Sequence, residues 1–358
     1  MGARFVKPVA TDKQQRYLCS IESQVLEKHH RPSVIPTRSE IPTPFTNMKS
    51  FSEEWNLCGK YDPSRRVNVV GDLKLQRKRL PYLMVEKCVR QRAIDSLKHL
   101  RNELEILLYL VRFAQLNVGY MHPNVIQLRG YYMFLNKIHV FLEFCELGSL
   151  KQAYIDDPSP MLRIQALPIE SELRDAIRQI CAGVAYLHSN GVAHCDLALE
   201  NIYATQDNVL KIGDFDYAVF VGAENQHKRP LADEPCRRMY GAPETYVRAG
   251  EERQIDLQKA DMWAVGVMVV MLFTKKPPFD SAAPGDKGLQ LYERVGLRPY
   301  LRALYLEQSA VCTLTDGMIA LAEGLLQTNP LKRLTAAQAL DSPWLSQPDD
   351  SSMSDSGS

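Results

Sequence analysis

Chemistry-bearing residues concentrate in His194-Cys195-Asp196-Leu197-Ala198-Leu199-Glu200-Asn201 and, after a short hairpin, in Lys211-Ile212-Gly213-Asp214-Phe215-Asp216. Asp196, Asn201 and Asp214 offer oxygen ligands of the hard kind that magnesium prefers. Each alone reads more readily as a turn or cap residue. Their joint occurrence behind a long helical stretch sets them apart.

That stretch is Glu170 to Ser189, where Leu173, Ala176, Ile177, Ile180, Val184 and Leu187 share one helix face and Gly191 follows as a stop signal. Upstream, 66–70, 83–89, 125–133 and 138–144 are short and rich in β-branched, aromatic and leucine residues, as strands are. A charged helix over 95–113 carries Leu97, Leu104, Leu107, Leu108 and Val111 along one side. Downstream, 262–273 runs twelve residues without a polar side chain, too short for a bilayer span and better read as a helix buried on all sides. A strand-rich front half thus precedes a helical back half.

The ends differ in composition. Residues 12–28 place Leu18, Ile21, Val25 and Leu26 at helical spacing, either a docking helix or a marginal one in a loose tail. Prolines 32, 36, 42 and 44 make 31–46 an extended linker, and the acidic, serine-rich tail after Ser346 cannot bury a core. The 358 residues are 45% hydrophobic and 24% charged, enough for a sizeable core, and a net charge of +1 gives no global attraction to nucleic acid or anionic membrane. Eight cysteines without a C-x-x-C pair predict reduced thiols and a cytoplasmic setting, with nuclear access left open.

The two stretches resemble the catalytic loop, H-R-D-L-x-x-x-N, and the D-F-G segment of eukaryotic protein kinases. The resemblance spans roughly residues 55 to 345 and implies a two-lobed α+β fold: an antiparallel β lobe with one main helix over about 51–144 and a helical lobe over about 147–345. It makes 51–345 a kinase domain between a flexible 1–50 and a disordered 346–358. It also implies ATP and Mg²⁺ as cofactors and protein Ser/Thr hydroxyls as acceptors, with no nucleic-acid partner and no membrane span. By position, Asp196 is the residue that accepts the hydroxyl proton, while Asn201 and Asp214 hold magnesium. Met84-Val85-Glu86-Lys87 matches the V-A-I-K strand and Glu103 the partner of Lys87. Glu143 and Cys145 fall at the adenine hinge. His122-Pro123-Asn124-Val125, Ala242-Pro243-Glu244, Asp261-Met262-Trp263 and Asn329-Pro330 with Arg333 match further family motifs, Glu244 and Arg333 as a buried scaffold pair.

Departures from the pattern are equally specific. The glycine-rich loop expected before Lys87 is reduced to Gly59 and a separate Gly71, with Arg65 or Arg66 as candidate substitutes for its backbone donors. Cys195 replaces the arginine of H-R-D, and no Ser or Thr occurs from Asp214 to Glu244, so Ser/Thr phosphorylation of that segment is not expected to be the switch. Ala198 replaces a lysine that touches the γ-phosphate in serine/threonine kinases. Arg237 stands where a threonine braces that lysine and the catalytic Asp, and Arg237 or Arg238 reads either as a replacement charge or as a solvated basic loop end. Asp216 replaces the D-F-G glycine, and Tyr203 takes the adenine-floor position. Two functions follow: a divergent, non-RD serine/threonine kinase, or a pseudokinase serving as an interaction module.

Overall fold

A computed structural model describes residues 55–62, 67–72, 83–90, 94–117, 121–134, 137–156, 170–222, 237–246, 255–304 and 314–347. The chain forms two compact units, one of 1–122 with 126–144 and one of 123–125 with 145–358.

The first unit contains five strands in the order β1-β2-β3-β5-β4, all antiparallel: β1 Trp55–Asp62, β2 Val67–Asp72, β3 Leu83–Arg90, β4 Leu128–Phe134 and β5 Lys137–Glu143. Helix α1, Ile94–Asn117, packs on β3 and β4. Its Leu100, Leu104, Leu107, Leu108 and Val111 are buried at the three-to-four-residue spacing expected of a core-facing helix. Strands β2 to β5 and α1 lie within a few residues of the sequence expectation. β1 was not expected as a strand, because Gly59, Lys60 and Asp62 dilute the strand signal, and its pairing with β2 shifts register at Leu57/Gly59 and Lys60/Asp62.

The second unit is built on α2, Glu170–Ser189, which buries Leu173, Ile177, Ile180, Val184 and Leu187. Small antiparallel ladders follow: β6 Val192–Ala193 pairs with β9 Val219–Phe220, and β7 Ile202–Ala204 pairs with β8 Leu210–Ile212. Helix α3, Leu257–Thr274, starts at Asp256, whose carboxylate caps the Lys259 amide, and ends at a left-handed Lys275. It extends the expected 262–273 to 18 residues, long and apolar enough to cross a bilayer, yet from Asp261 to Thr274 every residue is buried within the unit. Helices α4 Lys287–Val295, α5 Leu297–Leu304, α6 Asp316–Leu325 and α7 Ala336–Leu340 complete it.

One buried ion pair ties this unit together over 89 residues of sequence. Arg333 grips both oxygens of Glu244 at 2.7 and 2.9 Å and also donates to the carbonyl of Gln327 at 2.9 Å. The expected helix at 12–28, the 31–46 linker, Arg65 and Arg66 and the tail beyond 347 lie outside the described residues.

Candidate active site

In the first unit, β3 presents Lys87 and α1 presents Glu103. The ammonium donates to both carboxylate oxygens, at 2.9 and 2.8 Å. Glu103 is fully buried, while Lys87 remains partly open. A buried carboxylate is tolerated only with a partner, so the pair orients Lys87. Glu143 ends β5, where its side chain accepts from the Gln127 amide at 2.8 Å and its own amide donates to the Gln127 carbonyl at 3.0 Å. An unforeseen polar pair lies in the same sheet: Glu86 Oε1 and His139 Nδ1 are 2.7 Å apart, and both residues are buried.

In the second unit, Cys145 is buried, and its carbonyl accepts from Gly148 at 3.1 Å. The loop after β6 is shaped by Asp261 of α3, whose carboxylate accepts from the amides of His194 (2.7 Å) and Cys195 (2.8 Å) and contacts His188 Nε2 at 2.9 Å. These bonds hold Cys195 in a left-handed conformation, φ 62°, which a non-glycine residue adopts at a cost of about 1–2 kcal/mol. His194 joins the two chemistry-bearing stretches. Its Nε2 faces the carbonyl of Gly213 at 3.1 Å, so that nitrogen carries the proton, and Nδ1 accepts from the Asp196 amide at 3.3 Å. The fully buried Phe215 packs against the His194 ring, centroids 5.0 Å apart.

Asp196 and Asn201 meet directly. Asn201 Nδ2 donates to the Asp196 carbonyl at 2.8 Å and to its Oδ2 at 2.9 Å, which fixes the amide and leaves Oδ1 as acceptor. The Asn201 carbonyl accepts from Gly213 at 3.0 Å, bringing the chain to Asp214 next, itself left-handed at φ 65°. Arg237 resolves the alternatives raised by its sequence position: it is not a solvated loop end. Its Nε donates to Asp196 Oδ1 at 3.1 Å, and its Nη2 lies 3.5 Å from Asp196 Oδ2 and 3.4 Å from Asn201 Oδ1. Burial pushes the Asp196 carboxyl above its ordinary range, opposed by the Arg237 guanidinium and the Asn201 bond. For Arg237, burial disfavours the charge, but Asp196 and Glu200 outweigh it and hold the guanidinium firmly protonated.

The matched stretch of sequence runs from 73 to 345 and corresponds to the protein kinase domain. The chain belongs to the protein kinase domain family. Its fold is the two-lobed α+β class of those enzymes, and the matched span begins one residue beyond β2, after the hairpin whose glycines depart from the family pattern. Curated relatives include the serine/threonine-protein kinase PLK4 of Danio rerio, 28% identical over 66% of this chain and 22% of its own length. The cell cycle serine/threonine-protein kinase CDC5/MSD2 of Saccharomyces cerevisiae is 27% identical over 66% of this chain and 30% of its own length. The serine/threonine-protein kinase polo of Drosophila melanogaster is 29% identical over 63% of this chain and 34% of its own. The chain therefore spans about a third or less of the length of these relatives. Kinase domains in general use ATP and a divalent metal.

Proposed function

We propose that this chain is a divergent protein kinase that transfers the γ-phosphate of Mg-ATP to serine or threonine hydroxyls of protein substrates. The observation that carries the reading is the buried Asp196 carboxylate, oriented by Asn201 and bonded to the Arg237 guanidinium. The names of its relatives favour serine and threonine as acceptors. Asp196 accepts the hydroxyl proton as the acceptor oxygen attacks the γ-phosphorus. Lys87, held by Glu103, neutralises the α and β phosphates.

The donor chemistry of Asn201 and Asp214 fits magnesium: a carboxylate, and an amide whose Nδ2 is already spent on Asp196. Bound there, the ion supplies charge neutralisation for the nucleotide phosphates. The eight scattered cysteines, with no C-x-x-C pair, favour a reducing, cytoplasmic setting.

A second reading, a pseudokinase that binds partners without turnover, draws on one contact: a guanidinium on Asp196 could plug the base instead of orienting it. Radiolabelled phosphate transfer from Mg-ATP to generic protein substrates, with Asp196→Asn as control, separates the two. The kinase reading expects a signal that the variant loses; equal signals leave the binding module standing. In parallel, saturating Mg-ATP at about 100 times its Kd stabilises the folded chain by about 2.7 kcal/mol, seen as a raised Tm, and Asp214→Asn removes the magnesium-dependent part.

A further inference from the structure

The loop 194–201 contains no lysine or arginine, and Ala198 within it is fully buried, so no cation of the loop's own can reach Asp196. The cation comes from the segment 237–246. Arg237 places Nε and Nη2 against the two oxygens of Asp196 and reaches Asn201 Oδ1, while Nη1 lies 3.6 Å from Glu200 Oε1. A planar fork of donors on both carboxylate oxygens, with Asn201 Nδ2 on one of them, restrains rotation of the carboxylate.

Three residues on, a second contact uses the same loop. The Tyr240 hydroxyl donates to Glu200 Oε2 at 3.2 Å and accepts from the Leu199 amide at 3.3 Å. The turn between the two anchors is itself bonded, Tyr240 N to Arg237 O at 3.0 Å, and Tyr246 closes on the Arg238 carbonyl at 2.6 Å. No Ser or Thr occurs from 214 to 244, and Tyr240 is buried with its hydroxyl engaged. The contacts described between this segment and the loop are made by Arg237 and Tyr240.

We propose that Arg237 is a positioning residue: its guanidinium clasps the 237–246 segment to the 194–201 loop and sets the Asp196 carboxylate in its reactive pose, with no modification of the segment required. Its part in transfer rests on the kinase reading above; the clasp does not. In a plug, the same contact would oppose turnover, so the two roles predict opposite signs.

The full chain is compared with Arg237→Ala, Arg237→Gln and Arg237→Lys in steady-state transfer from Mg-ATP and in backbone hydrogen exchange over 238–246. Arg237→Ala and Arg237→Gln lower kcat by about 10–100-fold, as loss of orientation does, while KM for ATP stays within about threefold. Arg237→Lys, which keeps the charge but not the fork, restores kcat only in part, to a value between those of the neutral variants and the parent. Exchange over 238–246 quickens by about tenfold in the neutral variants and stays near the parent's rate in Arg237→Lys. Raised or unchanged kcat in the neutral variants overturns the positioning role, and unchanged exchange overturns the clasp. Should the parent transfer no more phosphate than Asp196→Asn, the kinase reading falls and the positioning role with it, while exchange still decides the clasp. Should the alanine variant fail to fold, the larger, polar glutamine variant carries both measurements.

Discussion

Asp261 shows how a residue far from any substrate can govern this chemistry. Its buried carboxylate satisfies the amides of His194 and Cys195 and thereby supports the left-handed turn that leads into Asp196. Asp261→Ala leaves two donors without their acceptor, at about 1–3 kcal/mol for each that stays buried and unsatisfied. Urea unfolding is expected to shift to a lower midpoint and phosphate transfer to fall together, whereas Asp196→Asn abolishes transfer with a smaller change in midpoint. The roles expected of Asp196, Asn201 and Asp214 are those that the resemblance of their motifs to the kinase family implies. The contact of Arg237 was legible only as one of two alternatives, since a basic residue near an acidic loop is usually solvated and the folded path of 237–246 is what brings it to Asp196. The pairing of Glu86 with His139 escaped for a similar reason, because it depends on the register of β3 against β5, with Cys88 opposite His139.

Helices and strands act here mainly through close approach and capping. In α2, a Cβ at Gly183 would lie 2.7 Å from Ile212 Cδ1 and 2.9 Å from the Asn124 carbonyl oxygen. That carbonyl is held by the Ile212 amide at 2.9 Å, so it cannot easily retreat. Gly183→Ala gains up to about 1 kcal/mol in helix propensity but incurs about 1–3 kcal/mol of overpacking; net destabilisation in urea is expected. At the start of α2, Glu170 Oε1 accepts from Trp344 (2.6 Å), Thr315 (3.1 Å) and Arg174 (3.2 Å), joining α2 to the cap of α6 and to the end of the domain. Burial pushes its carboxyl upward, but these bonds together outweigh it and leave the group below its ordinary value of 4.5. A depressed carboxylate contributes stability that is present above the unfolded value and lost as pH falls through the folded one. The urea midpoint of the parent should therefore exceed that of Glu170→Gln at about pH 6, and the gap should narrow at about pH 3.5. The long elements were readable from periodicity, whereas β1 was not, because strand pairing overrides the weak propensity of Gly59, Lys60 and Asp62.

On the scale of the whole molecule, the two units share the sequence unequally, and the second carries both Asp196 and the clasp. Its core depends on α3, whose Gly266 allows Leu325 and Leu326, at the end of α6, to approach: a Cβ there would meet both side chains at 2.9 Å. This arrangement bears on how the chain is made. Until α6 emerges from the ribosome, the 18-residue segment of α3 has only part of its cover, from α2 and β6, and its length is suited to membrane-insertion machinery. A chain cut at residue 313 is expected to sediment with membranes or aggregates, and the full chain to stay in the supernatant; fractionation after synthesis in a membrane-supplemented lysate checks this. The closing helices thus complete the cover of the central one, and a chain that ends before them is expected to leave part of its apolar surface exposed.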